Sequence, residues 1–257
     1  YEQYAACFTQ VSFIDENSSE YRLPEDHIYA GRFDQKNRLR TEWLQHFFYQ
    51  GNCLCHPSLL IRRECYELYD LLDAKGLVQL PDFFMWIKLC QYQNIAVLPE
   101  KLTKFRIHSR GSANMSGDSP QMRIRDAYEY GTILKEFRKI RAIDDFLQVF
   151  PDAKQYIVDG EIDLDFAFAK ICLATGKNHH MLEGLDILQT LLQDKEKANF
   201  LKQKYNYTVR NFSFDTGKYD VFSLEQQMKF VPILLYFDDG KGFNEKNVIV
   251  QNIYILP

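Results

Sequence analysis

The 257-residue chain is 46% hydrophobic and 26% charged, a balance outside the disordered and fibrous classes and sufficient for one or two ordinary cores. A net charge of -4 argues against nucleic acid as a partner, and no apolar run reaches the about 18 to 20 residues of a membrane helix. Six cysteines (Cys7, Cys53, Cys55, Cys65, Cys90 and Cys172) lie mostly inside apolar runs without a CxxC pair, which points to reduced thiols and a cytosolic setting.

The chain opens at Tyr1, with no basic and apolar leader, and enters the strand-like segment 5–14, closed by Asp15-Glu16-Asn17-Ser18. It stops at Pro257 directly after the alternating segment 248–256, so both ends read as cuts in a longer chain. Segment 37–49 places Leu39, Trp43, Leu44, Phe47 and Phe48 at helical spacing, and Gly51-Asn52 suit a left-handed C-terminal cap. Segment 56–61 then reads as a strand, 63–72 and 82–92 as helices, and 95–98 and 102–107 as two strands.

Residues 109–120 are polar and rich in Gly and Ser, which marks a loop or hinge and the main boundary of the chain. Beyond it, 122–205 carries helical periodicity, and 230–237 and 248–256 read as strands joined at Asp238-Asp239-Gly240-Lys241-Gly242. The expected organisation is therefore an α/β region over 1–118, an all-α extension over 119–222 and a short β element over 223–257.

Several residues are suited to chemistry. Asp82 follows Pro81 at the start of an apolar helix, where a carboxylate caps backbone amides or serves as a general base. Trp86 lies one turn later on the same face, as a core residue or a plate for a sugar ring. Gly51 and Asn52 shape a turn, and Asn52 has the reach for an acceptor hydroxyl. Asp163-Leu164-Asp165 is the one literal Asp-x-Asp, but it stands where a helix begins and reads as a capping turn. His179-His180 and Asp238-Asp239 read as surface groups.

Three blocks in order, 47–63 (with Gly51-Asn52 and His56-Pro57), 80–89 (Leu80-Pro81-Asp82 to Trp86) and 97–116 (Val97-Leu98-Pro99-Glu100 through Arg106 and His108 to Asn114 and Ser116), resemble the bacterial family 2 glycosyltransferases. Segment 8–17 resembles the strand that precedes these blocks there. The resemblance implies a partial GT-A-type fold with an incomplete mixed sheet, in which this chain supplies the acceptor side and the nucleotide-sugar-binding half is absent. It implies an inverting transfer from a nucleotide-sugar donor to a glycan or lipid-linked acceptor, as in polysaccharide assembly, with Asp82 as the base. The family places an acidic pair there, and this chain keeps only the second member because Pro81 replaces the first.

Gly51, Asn52 and Trp86 are candidate substrate-binding residues by their own chemistry and position, and the same likeness adds Arg106 to substrate binding and His108 to a divalent metal, Mn or Mg, in the parent enzyme. It also implies a cytoplasmic location, at most peripheral to the inner membrane face, and a fragment inactive on its own. Two other readings stand beside it: a non-catalytic binding module derived from such an enzyme, and a hydrolase pairing Asp82 with Glu100, which requires carboxyls about 5 to 9.5 Å apart. A truncated sheet also predicts self-association through an exposed edge at 5–14.

Overall fold

A computed structural model describes residues 3–74, 76–108 and 119–224. The expected β element at 230–237 and 248–256 lies outside the described residues, as do Asn114, Ser116 and most of the expected hinge. The rest is a mixed α/β structure, with a small sheet and a larger helical part.

The sheet has the order β2-β1-β3, with β1 at Tyr4–Ile14, β2 at Leu60–Ile61 and β3 at Asn94–Arg106. β1 pairs antiparallel with β2 (Ala6 opposite Ile61) and parallel with β3, from Tyr4 opposite Asn94 to Ile14 opposite Arg106. β1 is thus the middle strand, and the exposed edge expected at 5–14 is corrected: β2 covers Ala6 and Cys7, and Ser58 Oγ accepts from the Thr9 amide at 3.3 Å. The two strands expected at 95–98 and 102–107 are one strand with a bulge. The register slips from Thr9 opposite Leu98 to Gln10 opposite Lys101, because Pro99 has no N–H to give to the ladder.

Between β1 and β3 lie α1 (Arg40–Gln50), a 3-10 turn (His56–Ser58), α2 (Glu64–Leu68) and α3 (Pro81–Cys90). The expected strand at 56–61 shrinks to two residues because that turn, with Ser58 Oγ donating to the Cys55 carbonyl, occupies its first half. Trp43, Phe47 and Phe48 of α1 and Phe83, Trp86 and Ile87 of α3 are buried in one core with Phe8 of β1, whose ring Trp86 meets edge-on at 4.9 Å.

The helical part comprises α4 (Pro120–Phe137), α5 (Ile143–Val149), a 3-10 turn (Pro151–Tyr156), α6 (Leu164–Ala174), α7 (Asn178–Gln193), α8 (Lys195–Tyr205) and α9 (Val209–Lys218). One core runs across the expected boundary: the Phe48 ring meets Phe137 of α4 at 5.4 Å, Phe150 at 4.9 Å and Phe168 of α6 at 5.8 Å. Arg40 at the start of α1 grips both carboxylate oxygens of Asp145 in α5, at 2.6 and 2.7 Å. The helical region therefore completes the core of the α/β region. No helix among the described residues is long and apolar enough to cross a membrane.

Candidate functional site

The first turn of α3 opens on a cleft of about 890 Å³ whose walls come from the 28–33 loop, the 52–57 turn, the 78–82 segment, the end of β3, α4 and His179 of α7. Asp82 and Asn52, called separately from sequence, meet here: Asn52 Nδ2 donates to Asp82 Oδ2 at 3.2 Å, and Asn52 Oδ1 accepts from the Leu54 amide at 3.1 Å. Asp82 Oδ1 accepts from the Phe83 amide at 2.7 Å, so one oxygen serves the helix start and the other faces Asn52. Burial raises the Asp82 carboxyl above its ordinary value, opposed by the Phe83 amide, the nearby His56 and Asn52. A carboxylate so raised is a better proton acceptor than a solvated one.

Two further groups escaped the sequence reading. His56 is exposed beside Asp82, its ring set edge-on to Trp86 at 5.5 Å; its one sequence signal is the His-Pro that follows the Asn52 turn. Glu129 of α4 is 1% exposed, and its carboxylate accepts from the amides of Val78, Gln79 and Leu80 at 2.8 to 3.1 Å. That grip fixes the segment leading straight into Pro81 and Asp82. Nothing in the helical periodicity of 122–137 distinguishes Glu129, because its partners lie about 50 residues away in the chain.

Gly51 shapes the cleft by absence. Its φ of +83° and ψ of -166° fall in a region that only glycine occupies readily, not in the left-handed cap conformation expected. A Cβ there would stand 2.5 Å from Tyr130 Oη, so a side chain of α4 closes over the very turn that aims Asn52. Burial, reinforced by the Asp126 charge, pushes the Tyr130 hydroxyl up to about 12, which keeps it a neutral donor.

Other expected site residues do not join this group. Trp86 is 0% exposed, wedged edge-on against Phe8 at 4.9 Å with its indole N–H unpartnered, so it fills the core and presents no plate to a ligand. Arg106 lines the cleft, but its guanidinium donates to the Asp15 and Glu16 carbonyls at 2.6 and 3.0 Å and to Ser18 Oγ at 3.0 Å. It holds the turn that ends β1. Glu100 is exposed in the β3 bulge and does not line the cleft, which removes the Asp82–Glu100 pair required of a hydrolase.

A divalent cation finds no donor set among the described residues. His108 Nδ1 lies 4.0 Å from Glu16 Oε1, and no third ligand joins them. Asp163 caps α6 by accepting from the Phe166 amide at 2.8 Å, and Asp165 is bound by Arg138 and Arg141, as a capping turn requires.

Comparison of the chain with protein-family models, with curated proteins and with solved structures finds no match.

Proposed function

We propose that the cleft is the acceptor side of a sugar-transfer site in which Asp82 is the general base. The observation that carries this reading is the half-buried, raised carboxyl of Asp82, held by Asn52 at an open cleft. An acceptor hydroxyl is a poor nucleophile until its proton leaves. Asp82 takes that proton while the hydroxyl oxygen bonds to the anomeric carbon of a nucleotide-sugar, and the bond to the departing nucleotide diphosphate breaks on the opposite face, which inverts the configuration. Glu129 and Asn52 set the carboxylate, and Gly51 admits Tyr130 beside it.

The test is transfer of labelled sugar from nucleotide-sugars to glycan or lipid-linked acceptors by the protein at its native length. Asp82→Asn is expected to lower kcat by about 10²- to 10⁴-fold, the usual worth of a positioned base, with acceptor affinity retained. Unchanged turnover ends the assignment.

A second reading, a non-catalytic module that binds a ligand in the same cleft, is favoured by the burial of Trp86 and the structural engagement of Arg106. It predicts ligand binding without transfer at any length of chain.

A further inference from the structure

The cleft is positive in an acidic protein. Its lining holds four basic residues, Arg32, Lys104, Arg106 and Arg123, against two carboxylates, Asp82 and Asp126, while the whole chain carries -4. Arg106 is occupied by the turn after β1. Arg32 and Lys104 differ: neither side chain makes a hydrogen bond or ion pair among the described residues. The Arg32 charge nonetheless reaches inward, where it opposes the burial that raises Asp126 and Tyr130.

Exposed cations ordinarily serve as a solvated rim, and their charge alone implies no ligand. The same wall, however, carries an apolar face. Phe33 and Phe105 lie 5.7 Å apart, both packed on the buried Tyr29 at 5.7 and 5.2 Å, and Ile28 stands exposed beside them. The other wall offers Asn52, Asp82 and Asp126, groups matched to hydroxyls. A ligand that meets all three needs a ring with an apolar face, several hydroxyls and a negative charge.

We propose that the cleft takes an acidic sugar, whose carboxylate or phosphate is held by Arg32 and Lys104 while its ring lies on Phe33 and Phe105. This rests on the reading of Asp82 as the base of a sugar-transfer site and adds the chemical class of the acceptor. A guanidinium binds either anion through paired N–H groups, so a uronic acid and a sugar phosphate are two sources of one charge.

The experiment is NMR titration of the 257-residue chain at low salt with glucose, glucuronic acid, glucose 6-phosphate, inorganic phosphate and UDP. One acidic sugar is expected to bind about tenfold more tightly than glucose, and which of the two does so identifies the anion. Arg32→Gln with Lys104→Gln, both exposed positions that leave the core intact, abolishes the preference, and Asp82→Asn keeps it.

Equal binding of acidic and neutral sugars overturns the inference, as does inorganic phosphate binding as tightly as glucose 6-phosphate. Displacement of the acidic sugar by UDP hands the two cations to a donor and overturns the assignment to the acceptor. The preference together with unimpaired transfer by Asp82→Asn ends only the assignment of Asp82 as the base. Loss of the preference with an inactive Asp82→Asn variant ends only the acidic-acceptor inference.

Discussion

Asn52 Nδ2 and Asp82 Oδ2 lie 3.2 Å apart although their residues are separated by 30 positions, and this bond joins the turn after α1 to the start of α3. It gives a half-buried carboxylate a second neutral donor, beside the Phe83 amide, where a full ion pair would lock it. The carboxyl therefore stays raised, with burial the dominant cause.

The folded chain consequently holds a proton on Asp82 more tightly than the unfolded chain. The stability this lends is complete below the ordinary value of 3.8 and is lost as pH rises through the raised folded value. Asp82→Asn, which removes the desolvated charge, is expected to stabilise the protein at neutral pH by about 1 kcal/mol, with the gain shrinking toward pH 4. Urea denaturation at both pH values checks this; a loss of stability at neutral pH would show that the helix start needs the charge.

The grip of Glu129 predicts a larger effect in the other direction. Glu129→Ala leaves the amides of Val78, Gln79 and Leu80 without their acceptor, that of Leu80 in a buried place, and is expected to cost about 2 to 4 kcal/mol. Glu129→Gln retains one acceptor oxygen and is expected to cost roughly half as much. If the alanine variant unfolds at the same urea concentration as the parent, the three bonds are not what holds 78–80.

What the sequence revealed of this site follows physical range. Asp82 was legible because Pro81 and an apolar helix mark a helix start locally, and Asn52 because a Gly-Asn pair marks a turn. Their meeting was not legible, since it depends on how α1 and α3 pack. Trp86 was open to two readings because a helical face does not say whether it meets core or solvent, and Phe8 decides for the core. The strands at 95–98 and 102–107 merged because Pro99 interrupts a ladder without ending the strand. His179-His180 looked like surface, yet His180 is fully buried, since α7 turns that side of its first turn onto Phe48.

Gly51 and Tyr130 make a coupled pair. Gly51→Ala meets both an unfavourable backbone conformation and a 2.5 Å approach to Tyr130 Oη, and is expected to cost about 2 to 4 kcal/mol. Tyr130→Phe removes the clashing oxygen and not the backbone strain, so the double variant should recover part of the loss. A double-mutant cycle reads the coupling, and strict additivity would mean that the hydroxyl is not what Gly51 accommodates.

Trp86→Phe separates core from ligand roles. The indole N–H has no partner, so the smaller ring loses packing and no hydrogen bond, with an expected cost of about 1 to 3 kcal/mol and no change in ligand affinity. A variant of parental stability that binds sugars more weakly would return Trp86 to the cleft.

His180 predicts the acid limit of the fold. Its ring stacks on Phe48 at 4.5 Å, Nδ1 lies 3.1 Å from Thr175 Oγ1, and Nε2 has no partner. Burial, helped by the neighbouring His179 and Lys177, pushes it down to about 3, and burial with Lys177 pushes His179 down to about 4. Between the ordinary value of 6.5 and these folded values the unfolded chain binds the extra protons, so the contribution to stability is present above pH 6.5 and is lost as pH falls. At about 1.4 kcal/mol per pH unit, the buried His180 alone removes a few kcal/mol by pH 4, while the half-buried His179 adds less because solvent screens it. His180→Phe keeps a ring on Phe48, and Thr175 Oγ1 still donates to the Cys172 carbonyl at 2.9 Å, so this variant is expected to cost about 1 kcal/mol at neutral pH. Below pH 6 it should lose stability more slowly than the parent and overtake it as acid unfolding approaches. Parallel curves for parent and variant would show that the acid limit arises elsewhere, in which case Asp165, whose carboxyl Arg138 and Arg141 hold below its ordinary value, becomes the group to titrate.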